Sequence, residues 1–134
     1  MRKLLLLIIG APILGLALIA AAVVAELWTE ANGAAYTLDL AYAGDIKAAR
    51  KMVSCYRDGC RGVHKAPVLS CAWATVIVEE EAPSPKGSDL AAQQENCDRL
   101  DAEERRVVQN AVSDILEMIR VHKAHDPSSR PGLR

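Results

Sequence analysis

The chain has no phenylalanine, and aromatic residues make up only 4% of its 134 residues. It also lacks stretches in which β-branched residues alternate with polar ones, the pattern that half-buried strands require. Cysteine occurs four times but never as C-x-x-C or C-x-x-C-H, which excludes a thioredoxin-like site and covalent haem attachment. No glycine-rich phosphate loop is present, and no serine or cysteine sits in a nucleophile elbow. There is no excess of positive charge either: 16 basic residues face 17 acidic ones. A chain without a basic footprint is not built for nucleic acid. These absences leave an alanine-rich, all-α chain, expected to be a non-enzyme that carries no cofactor.

One segment stands apart from that background. Arg2 and Lys3 are followed by an uninterrupted apolar run from Leu4 to Ala25, about 22 residues. As a helix it would span roughly 33 Å, enough to cross a bilayer core of about 30 Å. Its length favours an uncleaved transmembrane anchor. The small residues Val23-Val24-Ala25 and Ala20-Ala21-Ala22 favour a signal peptide cut before Glu26 or after Ala22. Either way the positive N-terminus stays in the cytoplasm, and Trp28 falls where an interfacial aromatic sits. The expected organisation is an anchor or signal segment at 1–25, a helical domain at 26–125 and a disordered tail at 126–134. Without Arg2 and Lys3 the basic count falls from 16 to 14 against 17 acidic, a net charge of −3. No basic strip is left for anionic lipid headgroups.

Helix punctuation is frequent. Residues 31–43 read as a short helix closing at Gly44, and Asp45 as the N-cap of a helix whose Ile46, Ala49, Val53 and Tyr56 share a stripe. Gly59 and Gly62 supply a turn, and Pro67 suits the first turn of PVLSCAWATVIVEE. EEEAPSPKG is a loop, after which Ser88-Asp89 starts a helix through Cys97. Asp101 and Glu104 have capping-box spacing ahead of a helix with Val107, Val108, Ala111, Val112, Ile115, Leu116 and Ile119 on one face.

Within the first hairpin, Tyr56 is followed by Gly59, then Gly62-Val63, and Trp73 stands eleven residues beyond Gly62, with Met52 one turn ahead of the tyrosine. This spacing resembles the Sel-one-like repeats, relatives of the tetratricopeptide repeats, over residues 45–79. Asp89 to Arg120 offers a degenerate second hairpin. The resemblance implies an αα-hairpin in which Tyr56 and Trp73 fill the space between the helices and Val63 plugs the end. It also implies a structural role for all five motif positions and an interaction role for the exposed surface.

Cys55, Cys60, Cys71 and Cys97 lie on the exported side, where disulfides persist. Antiparallel helices bring together residues equidistant from their connecting loop. Cys71 and Cys97 are symmetric about residue 84, which pairs them and leaves Cys55 with Cys60. The competing scheme joins Cys55 to Cys71 across Val63 and Cys60 to Cys97. Cys55, Cys60 and His64 lack zinc-ligand spacing, and His122 and His125 read as cations at a helix C-terminus, so no metal is expected.

The expected function is protein–protein interaction in the cell envelope, by a membrane-tethered or exported helical module whose domain faces the periplasmic side. Its partner would be another envelope or inner-membrane protein, reached through the Glu79–Lys86 loop and the polar face of the last helix, including Glu103, Arg106 and Arg120. Two alternatives stand beside it. One is an accessory single-pass subunit whose apolar helix, with Gly10, Pro12 and Gly15, docks on larger subunits. The other is a secreted thiol- or metal-handling protein.

Overall fold

The computed structural model describes residues 33–125. The apolar run Leu4–Ala25, its anchor and signal readings, Trp28 and the tail 126–134 therefore lie outside the described residues. Among the described residues no helix is long and apolar enough to cross a membrane.

Every regular element among the described residues is a helix, which places the chain in the all-α class. A helical segment at residues 33–42 (α1) is followed by α2 (Ile46–Asp58), α3 (Pro67–Glu80), α4 (Gly87–Cys97) and α5 (Ala102–His125). Gly44 takes φ +90 after α1, a value that L side chains strain to adopt. Asp45 then caps α2, its Oδ1 accepting from the Ala48 N–H at 2.9 Å. Asp101 and Glu104 form a reciprocal capping box, each backbone N–H donating to the other's carboxylate at 2.8–2.9 Å. The α4 start is one residue earlier than its Ser-Asp pair indicates, and its N-cap, Lys86, makes no side-chain cap bond.

The centre of the fold is α3. Its sequence is apolar on nearly every side, as suits a helix covered all round, and α2, α4 and α5 all pack on it. Ala72, Trp73, Val76 and Ile77 are fully buried along it. The Val53 carbonyl faces Ser70, and Arg50 reaches Glu81, so α2 runs antiparallel to α3. Gln93 donates to Thr75, so α4 is antiparallel as well. Lys123 pairs with Glu80 at the far end, so α5 runs parallel to α3.

The stripe of α2 meets the core as its spacing predicts: Ala49, Met52 and Val53 are buried, and Ile46 and Tyr56 pack against them. On α5 the spacing is narrower than read from sequence. Val108, Val112, Ile115 and Ile119 are buried with Ala111 and Leu116 beside them, but Val107 is 47% exposed. It lies about 100° around the helix from Val108, beyond the edge that α3 covers.

Candidate functional site

The hairpin turn uses the glycines for their backbones. Gly59 and Gly62 take φ +81 and +83, backbone conformations that glycine adopts without strain and L side chains rarely do. The Gly59 N–H donates to the Cys55 carbonyl at 2.9 Å, and Cys60 and Val63 exchange N–H donors across the turn. The Ala66 N–H returns to the Tyr56 carbonyl at 2.8 Å, which sets the entry into α3. Tyr56 and Val63 are half-buried against the core, and burial raises the Tyr56 phenol above its ordinary pKa.

Trp73 is 1% exposed. Its ring meets Tyr42 of α1, with centroids 5.3 Å apart and planes tilted by 54°. The aromatic contact therefore joins the hairpin to the preceding helix, a use of Trp73 that the hairpin motif does not include.

The four cysteines stand in two pairs at disulfide distance. Cys71 and Cys97 have Sγ atoms 2.00 Å apart, Cys55 and Cys60 2.22 Å, and both pairs have a Cα separation of 4.9 Å. The first staples α3 to α4, and the second closes the end of α2 onto the turn.

Two polar clusters without a sequence signature sit between the helices. The Ser70 hydroxyl lies 2.9 Å from the Val53 carbonyl and 2.7 Å from Asn96 Oδ1, and its single proton serves one acceptor at a time. Asn96 in turn donates to the Ala92 carbonyl at 2.7 Å. In the second cluster Arg50 donates from Nε and Nη2 to the two oxygens of Asp89, and from Nη2 to Glu81 at 2.7 Å. Asp89 is buried, and these hydrogen bonds from Arg50 hold its carboxyl below the usual carboxylate range. Both clusters tie neighbouring helices to one another.

The open features are grooves between helices. One, of about 240 Å³, separates α2 from α4 over Ala74 and Ile77. A larger one, of about 470 Å³, runs between α3 and α5: Cys71, Thr75 and Glu79 form one wall, Val108, Val112 and Leu116 the other. Arg105 stands at one end of it. Of the surface groups singled out by sequence, Glu103 pairs with Arg106 and Arg120 with Glu117, both within one turn of α5. In the Glu79–Lys86 loop Glu80 and Glu81 are engaged by Lys123 and Arg50, and Glu79 faces solvent.

His64 is exposed in the turn, His122 and His125 lie one turn apart at the end of α5, and the His125 ring Nδ1 is 2.9 Å from the Val121 carbonyl. Among the described residues no group of three or more His, Cys, Asp or Glu side chains is placed to hold a metal ion.

Comparison of the chain with protein-family models, with curated proteins and with solved structures finds no match.

Proposed function

We propose that the chain is a non-enzymatic, Sel-one-like helical module of the cell envelope that binds another protein through its outer surface. In this reading the Leu4–Ala25 run tethers it to the inner membrane, and the helical domain stands on the periplasmic side. One observation carries the proposal. The residues that stand out in the sequence, Tyr56, Gly59, Gly62, Val63, Trp73 and the four cysteines, are all used to shape and staple the hairpins. The surface left to solvent consists of helix faces with open grooves between them, the kind of surface on which helical repeats present partner-binding side chains. The paired cysteines add support for an exported domain, because disulfides persist in oxidising compartments.

Crosslinking of the full chain in its native membrane, followed by mass spectrometry, tests the reading. The expected result is a reproducible link from residues of α4 or α5 to one envelope protein, together with peptides that retain Met1. Links confined to the apolar run would transfer the function to that segment, as in an accessory single-pass subunit. Turnover of a substrate by the purified chain, abolished by changing a cysteine or histidine, would refute the non-enzymatic reading.

A further inference from the structure

We propose that the Cys55–Cys60 disulfide is a reversible thiol–disulfide exchange site, opened by a dithiol that attacks Cys60, while Cys71–Cys97 stays closed as a fixed staple. The inference goes beyond the interaction reading above and does not rest on it. One exchange per chain is a change of state rather than turnover, so the non-enzymatic reading is untouched.

The two sulfurs of the pair are unequally placed. Cys55 is 7% exposed, in the last turn of α2. Cys60 lies beyond the helix and is half-buried, with Arg61, Gly62, His64 and Lys65 exposed after it. Exchange proceeds by attack of a thiolate on one sulfur, and access selects Cys60. The first thiolate of the dithiol bonds to Cys60 Sγ, the Cys55–Cys60 bond breaks, and Cys55 leaves with the electron pair and takes up a proton. The second thiol, deprotonated, then attacks the dithiol sulfur of the mixed disulfide and releases Cys60 as a thiolate. The dithiol ends as a disulfide, and two electrons have passed to the chain. In the reverse direction Cys60 attacks a disulfide and Cys55 closes back onto it.

Charge around the turn favours Cys60 as the ionised partner. Arg57, Arg61, Lys65 and Arg99 gather at this end of the hairpin against Asp58 and Glu95. Arg57 pairs with Asp58 at 2.8 Å and stands 3.9 Å from Glu95. Its hydrogen bond holds the Asp58 carboxyl below the usual range, and Lys65 and Arg99 add to that effect. A Cβ at Gly59 would meet Lys65 Cγ at 3.4 Å, so the lysine stem lies along the turn beside Cys60. His64, exposed in the same turn, adds a cation when protonated. Cationic neighbours lower a thiol's pKa. Cys55 has the opposite setting, because burial and the negative end of the α2 dipole both keep its thiol protonated.

The turn itself does not depend on the sulfur bond. The Gly59 N–H donates to the Cys55 carbonyl, Cys60 and Val63 exchange N–H donors, and the Ala66 N–H returns to the Tyr56 carbonyl. All of these are backbone bonds, so an opened pair keeps its two thiols close and ready to close again. Cys71–Cys97 differs, since it joins two helices over a separation of 26 against 5 for Cys55–Cys60. What a crosslink gives to the fold, the fold gives back to the crosslink. Loop-closure entropy sets the difference at about tenfold in the equilibrium with a dithiol.

The test equilibrates the full chain, in detergent, with mixtures of reduced and oxidised dithiothreitol, followed by acid quench, alkylation and peptide mapping. Cys55 and Cys60 should become alkylated together at a reduced-to-oxidised ratio about tenfold below that needed for Cys71 and Cys97. The helical circular dichroism signal should persist, and restoring the oxidised ratio should close the pair. Joint opening of both pairs, earlier opening of Cys71–Cys97, or loss of the helical signal with the first pair would each overturn the proposal. This measurement uses the unaltered chain, so it decides even where a variant fails to fold. A second one separates the sulfurs. In Cys55→Ser, alkylation of Cys60 by iodoacetamide should follow a titration below the ~8.5 of a free thiol, and adding Lys65→Glu should move it upward. In Cys60→Ser, Cys55 should react more slowly than Cys60 does. A Cys60 that titrates at ~8.5 or above, or a Cys55 that reacts as fast, would mark the bond as structural only and overturn the exchange site.

Discussion

Arg50 and Asp89, 39 positions apart in the chain, meet through two side-by-side hydrogen bonds of 2.9 and 2.7 Å. The contact ties the middle of α2 to the first turn of α4 across the loop that contains Glu81. It is bidentate and partly shielded, the geometry in which an ion pair contributes measurably to stability. Its acid limb has a defined sign. The folded Asp89 carboxyl titrates below its ordinary value because Arg50 hydrogen-bonds its ionised form. The stability it supplies is therefore complete above the unfolded value near ~3.9 and is lost as pH falls through the lower folded one.

The first prediction follows from that pair. Asp89→Asn should cost roughly 2 kcal/mol at neutral pH, the scale of a hydrogen bond to a charged group. It should also flatten the loss of stability in the acid range. Urea midpoints measured at neutral pH and in steps below pH ~4 check both parts. An acid limb of unchanged slope would show that Asp89 does not carry it.

Trp73 supplies the second prediction. Trp73→Ala should destabilise the domain by about 3 to 5 kcal/mol, because a fully buried ring is removed from the centre of α3. Tyr42→Ala should cost less, and the double variant should cost less than the sum, since the two rings touch at 5.3 Å. Additive losses in thermal unfolding would mean that α1 is not held by this contact.

These two contacts also mark what could be read in advance. Caps and breaks were legible because each is written within a few residues: Asp45 with Ala48, Asp101 with Glu104, Pro67 at the start of α3, and glycines where φ is positive. The pairing of Cys71 with Cys97 was accessible from loop symmetry, given antiparallel neighbours. Arg50 with Asp89 was not, because nothing local distinguishes a carboxylate that will be buried from one at an ordinary helix start. Tyr42 was not legible as the neighbour of Trp73 because the hairpin spacing begins only after α1. Val107 was misassigned since an apolar residue at the edge of a stripe is covered only if the neighbouring helix reaches it. The α3–α5 groove depends on α5 running parallel to α3, a long-range outcome that no short pattern encodes.

The third prediction concerns the staples. On the loop-entropy account the Cys71–Cys97 crosslink should stabilise the fold by about 3.5 kcal/mol and the short Cys55–Cys60 loop by about 2. Peptide mapping without reduction should recover both pairs from protein isolated from its own compartment. Cys55 joined to Cys71, or four free thiols, would contradict the pairing. Cys71→Ser/Cys97→Ser should lower thermal stability more than Cys55→Ser/Cys60→Ser, because the longer loop regains more freedom when opened.

The last prediction separates stability from binding. Gly62→Ala places a Cβ on a backbone at φ +83 and should cost about 1 to 2 kcal/mol. Tyr56→Ala removes a half-buried ring and should also lower the melting temperature. If the motif positions are structural, either variant loses partner binding only in proportion to its unfolded fraction, so binding recovers on cooling. Charge reversals on the outer face of α5 should behave in the opposite way. Glu103 and Arg106 pair with each other in solvent, so Glu103→Arg/Arg106→Glu keeps the pair and should leave the melting temperature nearly unchanged. The reversed field would still face any partner docked there. Pull-down of the crosslinked partner, run beside thermal melts of the same samples, resolves the two behaviours. Partner loss from Gly62→Ala at a temperature where it is fully folded would place the turn itself in the interface. Full retention by the α5 reversal would place the interface on another face.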